Sequence, residues 1–561
     1  MRGTAYLDLL TATTAREADA LVTTLAAGVP ADLPHRETMR AVKVLVLADV
    51  TTGPDPDRAS VIGALLDHLE AQQGPTGLFD GDNLVSPPDS SFTLNDVCLT
   101  LEVLARAGES AGPAGVADRL RALAARSVDA LVTGGVHTPN HRWELCSALA
   151  GLHHVLGDPR LVPRIDEWLS EGIDIDADGF YSERSPNYAA YVTNPALLTI
   201  ARLLDRPALR DVVRAQLRTL PSLVDDDGEV VTVQSRRQDQ RETFGVHAFL
   251  SQLRWFAVHD GDASLARLVA LGLAAGPPDA SRHLAEALVD PVLVGDLPEA
   301  APAPEGTTAW PTVGLVRHRS GTTTTTVFGG SDHRATGRIA SGLANSATVL
   351  QVRHGDARLR ALRISPEFFD TGAFRPDRMD VDGTHVTLVE ERVSGYYQPL
   401  PAPLRRADGD YPLTDEGRFF AQMDFPFRPR SELRLTTRAD VRPTDHGVTV
   451  DLTFAGVSTA VGLELVLGDG DLDGVEPHPR LTDVGWLRGD ELVLRTGADE
   501  LRVRVSGHLA DVPPRFDDGE LFTYVHGEDR VPGRRVLVAA RTDRPLHVEV
   551  VTGRHAAGPV R

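Results

Sequence analysis

Lysine is nearly missing from this chain of 561 residues: of 57 basic residues one, Lys43, is a lysine and the rest are arginine. That bias fits a GC-rich bacterial genome and carries no chemistry by itself. Cysteine is almost as scarce, with Cys98 and Cys146 alone. Both fall in helical patterns at no metal-ligand spacing, so they read as buried thiols. No apolar run is long enough to span a bilayer. The opening residues, Met-Arg-Gly-Thr-Ala-Tyr-Leu-Asp, lack the basic-then-apolar plan of a secretory signal, and the expected location is cytoplasmic. No nucleophile elbow, P-loop or zinc-protease motif occurs; Gly329-Gly330 is a turn, since no helix pattern follows it.

What is present is a folded, acidic chain. Hydrophobic residues make up 42% and charged residues 24%, a balance that builds cores, and the length predicts two or three domains. The formal net charge of -22 repels polyanions, which argues against nucleic acid and against a long acidic polymer gripped over many units. An acidic ligand must be drawn in by a local arginine cluster, and a short oligosaccharide end meets that restriction best. The sequence is silent on oligomeric state.

The apolar period is helical through the first half. In 57–74, Val61, Leu65, Leu66 and Leu69 recur at helical spacing before Gly74; in 91–108, Leu94, Val97, Cys98, Leu101 and Leu104 do so before Gly108. Similar patterns lie near 37–51, 114–133, 141–156, 159–171, 187–204, 206–219, 241–259, 262–275 and 279–290. About a dozen helices joined by short loops pack as antiparallel hairpins and can close into a ring. The period changes after the proline- and alanine-rich stretch 295–306. Beyond it, 321–329, 347–353, 385–393, 432–454, 491–495 and 500–505 alternate with period two between turn residues, as in an antiparallel sandwich. The expected chain is multidomain, α then β: an (α/α) toroid of helical hairpins over 1–295, a linker over 296–310 and an antiparallel β-sandwich over 311–561. A cleft between the two is the default ligand site.

Three stretches could carry chemistry. In 178–191, the turn signal Asp178-Gly179 and a polar run lead into a helix whose Tyr188 and Tyr191, three apart, are expected on one face. Glu183, Arg184 and Asn187 at its mouth suit an anionic sugar; two tyrosines packed between helices is the competing account. His137-Thr138-Pro139-Asn140-His141-Arg142-Trp143-Glu144 opens another helix. Asn140 would serve as its N-cap, which leaves His141 unexplained; equally, an amide, an imidazole and a guanidinium at a helix N-terminus make a carboxylate site. In 234–241, Arg236, Arg237 and Gln238 offer bidentate contact to a carboxylate, against the ordinary account of a charged run as a solvated loop. Asp89-Ser90-Ser91-Phe92 reads first as a helix cap, with Asn95 able to face a cleft.

These residue types have a definite use on a uronic acid. Its C5 proton is only weakly acidic, because removing it from an anion places a second charge on the enolate. Donors that neutralise the carboxylate hold that charge as an oxyanion hole does. A phenolate or neutral imidazole then takes the proton and a phenol gives one to the departing C4 oxygen. The result is β-elimination, which leaves an unsaturated sugar.

Asn140-His141 before a helix, Asp178-Gly179 with Glu183, Ser185 and Tyr188 after it, and the toroid-then-sandwich order resemble the heparinase II/III-like and alginate lyase-like polysaccharide lyases. The resemblance implies that Asn140 and His141 act on the uronate carboxylate and that Tyr188 is the acid, or both acid and base. The family's His-Gly-His-Ala-Asp stretch has only Ser341-Gly342-Leu343-Ala344-Asn345 as counterpart here, without either histidine. That puts the usual base and a structural zinc in doubt. His333 and Tyr397 stand as candidates for a second proton carrier, with Arg142, Glu183, Tyr191, Arg236, Arg237, Gln238 and Tyr396 as substrate contacts. No cofactor is required, and a divalent metal in the sandwich is left open. Two rivals stand beside this: a glycoside hydrolase using carboxylates among Glu144, Asp178, Glu183 and Asp239, and a non-catalytic uronate-binding relative.

Overall fold

The computed structural model describes residues 2–81, 83–108, 111–277, 279–333, 342–517 and 531–555; Ser341 lies outside them. The chain divides into two compact units. The first comprises Met1–Ser182, Pro186–Val230 and Phe244–Ala303; the second comprises Glu183–Ser185, Val231–Thr243 and Pro304–Arg561. Two short excursions from the helical half thus belong to the second unit.

The first unit is a ring of helical hairpins. Its inner helices are His35–Thr52, Pro87–Ala107, Pro139–Leu156, Asn194–Leu203, Leu250–His259 and Ala280–Val289. The last packs on the first and closes the ring. Inner position explains composition: from Ala41 to Asp49 every residue of His35–Thr52 is buried, and in Pro139–Leu156 so is every residue from Trp143 to Leu152. The outer helices carry one apolar stripe, as in Val116–Thr133 with Leu120, Leu123, Ala124, Val128 and Leu131 inward. Each such leucine removed from water contributes about 1.5–3 kcal/mol.

Three local expectations change. Gly3–Leu25 is a helix, although its buried positions Tyr6, Leu10, Thr14 and Ala18 include too few large apolar residues to show the period. The helix expected over 241–259 begins only at Leu250, because Phe244–Gly245 pairs with Glu229–Val230 and spends the backbone groups a helix would need. Helix Pro87–Ala107 is capped by Ser86, which accepts from the Asp89 backbone, so Asp89-Ser90-Ser91 is its first turn and not its cap.

The second unit is a β-sandwich of a nine-stranded and an eight-stranded sheet among the described residues. Leu362, Ile364, Leu388, Val441, Val450, Leu463, Val503 and Val548 are among the side chains of its core. Among the described residues pairing in these sheets is antiparallel except where Val484–Trp486 runs parallel to Arg534–Arg541. The first strand, Gly306–Trp310, occupies the last part of the segment expected to be linker. No helix among the described residues is long and apolar enough to cross a membrane.

A fully buried ion pair lies inside this sandwich. Arg363 donates to Glu464 at 2.8 Å with side-chain exposures of 0% and 1%, and Arg535 bonds the same carboxylate. Glu464→Ala leaves the Arg363 guanidinium buried without that anion and is expected to cost roughly 3–5 kcal/mol. Glu391→Ala, which breaks the exposed pair with Arg434, should cost under about 1 kcal/mol. Urea unfolding of the two variants checks the contrast.

Candidate active site

The first-unit site begins at the start of Pro139–Leu156. Thr138 occupies the N-cap position without a side-chain cap bond. Asn140 is therefore not the cap but a first-turn residue, displaced by Pro139, which suits the first helical position. Its Oδ1 accepts from the Thr138 hydroxyl at 2.8 Å. Its Nδ2 is buried, with no hydrogen-bond partner among the described residues. A buried amide donor left over in this way is costly unless something fills it. His141 is held edge-on to His137 at 4.9 Å and to Phe92 at 6.2 Å. Arg142 turns elsewhere: it pairs with Glu171 at 2.9 Å and Asp174 at 3.2 Å and lies over the Trp143 ring.

Tyr188 ends a short helix, Pro186–Tyr188, that runs directly into a π-helical turn, Ala189–Thr193, before Asn194–Leu203. Helix Pro139–Leu156 packs against this turn. Tyr188 stands just before the π-turn and Tyr191 within it, and such a turn spaces residues at a different angle from an α-helix. Tyr191 lines the interior of the ring, packed edge-on to Phe244. The turn is pinned by buried amides. Tyr181 donates to Asn194 Oδ1 at 2.8 Å, Asn194 Nδ2 donates to Gln216 and Gln252, and Gln252 Nε2 donates to the Ala190 carbonyl at 2.6 Å. Upstream, Gly179 sits at φ 92°, and a Cβ there would lie 2.8 Å from the Ala215 carbonyl oxygen, so the Asp178-Gly179 turn admits no side chain at that position.

The ring encloses a cavity of about 350 Å³. Its lining includes Arg36 and Phe92, in contact with each other at 4.0 Å, and Tyr191. Charges line it too, Lys43, Asp279 and Arg282 among them without a role in the sequence-based expectation. Lys43, 2% exposed, bonds Asp96 at 2.7 Å. Burial presses its ammonium toward neutrality, but Asp96 and Asp279 outweigh that and raise its pKa. Arg282 reaches Glu286 at 3.2 Å and lies 5.8 Å from the Tyr191 ring. Burial pushes Asp279 up, yet Lys43, Ser281 and Arg282 together hold it well below the usual carboxylate range. Glu144, one turn beyond Asn140, accepts from Asn95 Nδ2 at 2.7 Å, while Ser147 donates to Asn95 Oδ1 at 2.9 Å. Burial pushes its carboxyl up to about 7, against the pull of Asn95, Arg282 and Arg36. The sequence did hold a signal: a lone lysine amid Ala41-Val42 and Val44-Leu45 has to be buried and therefore paired.

The other predicted residues lie in the second unit. Arg236 makes a two-pronged bond to Asp332 at 2.7 and 2.8 Å, and its backbone N–H donates to the Glu183 carbonyl at 2.9 Å. Arg237 pairs with Glu183 at 3.2 Å, and Gln238 begins a short 3-10 turn. Asp239 accepts from Ser185 at 2.8 Å and from Ser235 at 2.5 Å. Arg184, at φ 52°, donates to the carbonyls of Gly330 and Thr312, both at 3.1 Å. His333 follows Asp332, with its backbone N–H on the Ser331 hydroxyl. Tyr397 ends strand His385–Tyr397; its hydroxyl lies 3.4 Å from Glu416 and its ring packs on Phe425, while Tyr396 is largely exposed beside Phe369. Among the described residues no cluster of three His, Cys, Asp or Glu side chains could hold a metal.

No family model matches the chain, and no curated protein matches it. Solved structures do. Heparinase III is similar over 93% of this chain and 77% of its own, at a TM-score of 0.54 and 11% identity. Chondroitin AC lyase of Streptomyces coelicolor A3, in complex with chondroitin sulphate, is similar over 98% and 78%, at 0.52 and 15%. Paenibacillus xanthan lyase is similar over 98% and 57%, at 0.58 and 10%. The chain has the (α/α) toroid and β-sandwich fold of these polysaccharide lyases.

Glu144 makes a testable pH signature. Its carboxyl ionises near 4.5 when exposed and about 7 in the fold, so the stability tied to its neutral form is complete below pH 4.5 and lost as pH rises toward 7. Glu144→Gln keeps an acceptor for Asn95 and cannot ionise. Relative to the parent it should gain on the order of 3 kcal/mol across that window, at 1.36 kcal/mol per pH unit, measured by denaturation at pH 4.5 and pH 8.

Proposed function

We propose that the protein is a polysaccharide lyase that cleaves a uronic-acid-containing glycan by β-elimination. The observation that carries the reading is the buried, unfilled Asn140 amide, on a helix packed against the turn that Tyr188 opens, within a polysaccharide lyase fold. The Asn140 Nδ2 donates to the uronate carboxylate and withdraws charge as the C5–H bond breaks. His141, beside it on the first helical turn, completes the neutralisation of the carboxylate. The Tyr188 phenol protonates the departing C4 oxygen. Acting as phenolate, it also takes the C5 proton when that proton and the leaving oxygen lie on the same side of the ring. In this account the π-turn holds Tyr188 in place through the Gln252 bond to Ala190.

A second reading has one observation in its favour. A buried carboxyl pushed up to about 7, as Glu144 is, has the character of a hydrolase's general acid. Product chemistry separates the two: a lyase yields an unsaturated uronate that absorbs in the ultraviolet, a hydrolase a saturated reducing end.

The test is a panel of chondroitin sulphate, xanthan, alginate and a polyglucuronate, followed by ultraviolet absorbance. Tyr188→Phe is expected to lower the rate by roughly 10²–10⁴-fold, the usual range for loss of a general acid or base. Asn140→Ala is expected to lower kcat by about 10²–10³-fold. A Tyr188→Phe protein with full activity would remove the assignment.

A further inference from the structure

We propose that the cavity inside the helical ring is a chain-end pocket, which receives the terminal sugar or disaccharide of an acidic glycan and so makes cleavage exolytic. The inference rests on the lyase reading above and specifies its substrate as a chain end.

Charges inside a ring of helices are not what packing alone requires. Replacing buried ion pairs by hydrocarbon of similar volume is often neutral or stabilising. Yet Lys43–Asp96, Arg282–Glu286 and Arg202–Glu102 all line this one space, with Asp279 and Glu144 between them. A cavity of about 350 Å³ is at the lower end of the roughly 300–1,000 Å³ of small-molecule sites, and suits a sugar or two better than a run of polymer. The lining has what a sugar needs. Fixed carboxylates, amides and guanidiniums can exchange hydrogen bonds with hydroxyls, and the exposed Tyr191 ring is a flat apolar surface for a sugar's ring face.

The position links the cavity to the proposed chemistry. Phe92 lines the cavity and is also the ring against which His141 packs edge-on. Glu144 lines it one helical turn from Asn140, and Tyr191 lines it three residues after Tyr188. Arg36, which is paired with Asp89, and Arg282, which is paired with Glu286, both act on the Glu144 carboxyl, so an entering uronate meets guanidiniums already held in place by carboxylates. The net charge of -22 opposes binding along a polyanion far more than it opposes a single terminal uronate.

The experiment uses the full chain and a size-purified oligosaccharide offering several internal bonds, made from whichever panel glycan is turned over. Products are sized by mass through the time course. One small saccharide released from the start, with the remainder shortening in steps of that size, is the expected result. A ladder of intermediate sizes with early loss of viscosity on the long polymer would overturn the pocket while leaving the lyase reading intact. Absence of unsaturated product from every glycan would defeat the lyase reading itself, and the pocket with it. Thr199 lines the cavity away from the proposed catalytic residues, and Thr199→Trp should lower kcat/KM at least tenfold by filling it. Unchanged activity in a folded Thr199→Trp protein would also overturn the pocket. Should that variant not fold, the product pattern of the unaltered chain decides alone.

Discussion

A charge inside a ring of helices has to be answered from within the same ring. Water cannot supply the partner, and an ion left alone in such a place would neutralise itself by a shifted pKa or unfold its surroundings. Lys43 meets this constraint by reaching from His35–Thr52 to Asp96 on Pro87–Ala107, and Arg202 by reaching from Asn194–Leu203 to Glu102 on Pro87–Ala107. The first pair ties neighbouring inner helices, and the second reaches past Pro139–Leu156, which packs against both of its helices. Each also keeps hydrocarbon from closing the interior, so the ring holds a polar cavity where a larger apolar core could have formed.

The same logic governs the backbone around Tyr188. A π-turn frees a carbonyl from ordinary helical bonding, and a buried carbonyl needs a donor. Gln252 supplies it at Ala190, and Asn194 orders Gln252 in turn while accepting from Tyr181. Upstream, Arg184 adopts a left-handed conformation that most residues avoid, and two backbone carbonyls hold its guanidinium. The polar run 183–185 thus contributes ion pairs and hydrogen bonds to the second unit, through Arg237, Asp239 and the Arg236 backbone.

Much of the fold was legible because two periods separate it. Three- and four-residue spacing of leucine and valine runs through the first half, and alternation through the second, and each period has one way of burying its apolar face. Where the period was diluted, the reading slipped. Gly3–Leu25 hides its inward face in small and polar residues, and Phe244–Gly245 was folded into a helix because two residues of strand carry no period at all. Of the site, Asn140, His141 and Tyr188 were legible as residue types at helix starts. Arg142, Arg236 and Arg237 were legible only as cations, and which carboxylate each one meets depends on residues far away in the chain, such as Asp174 and Asp332.

The sequence by itself determined the order of a helical half and a strand half, the span of most helices, and the presence of an amide, an imidazole and a phenol at helix openings. Those are properties of neighbouring residues, set by propensity and spacing. Only the tertiary structure decided that Asn140 is a buried donor and not a cap, that Tyr188 enters a π-turn, and that Lys43, Glu144 and Arg282 face one interior space. Burial and ion pairing are made by elements distant in sequence, and no local pattern records which of them will meet.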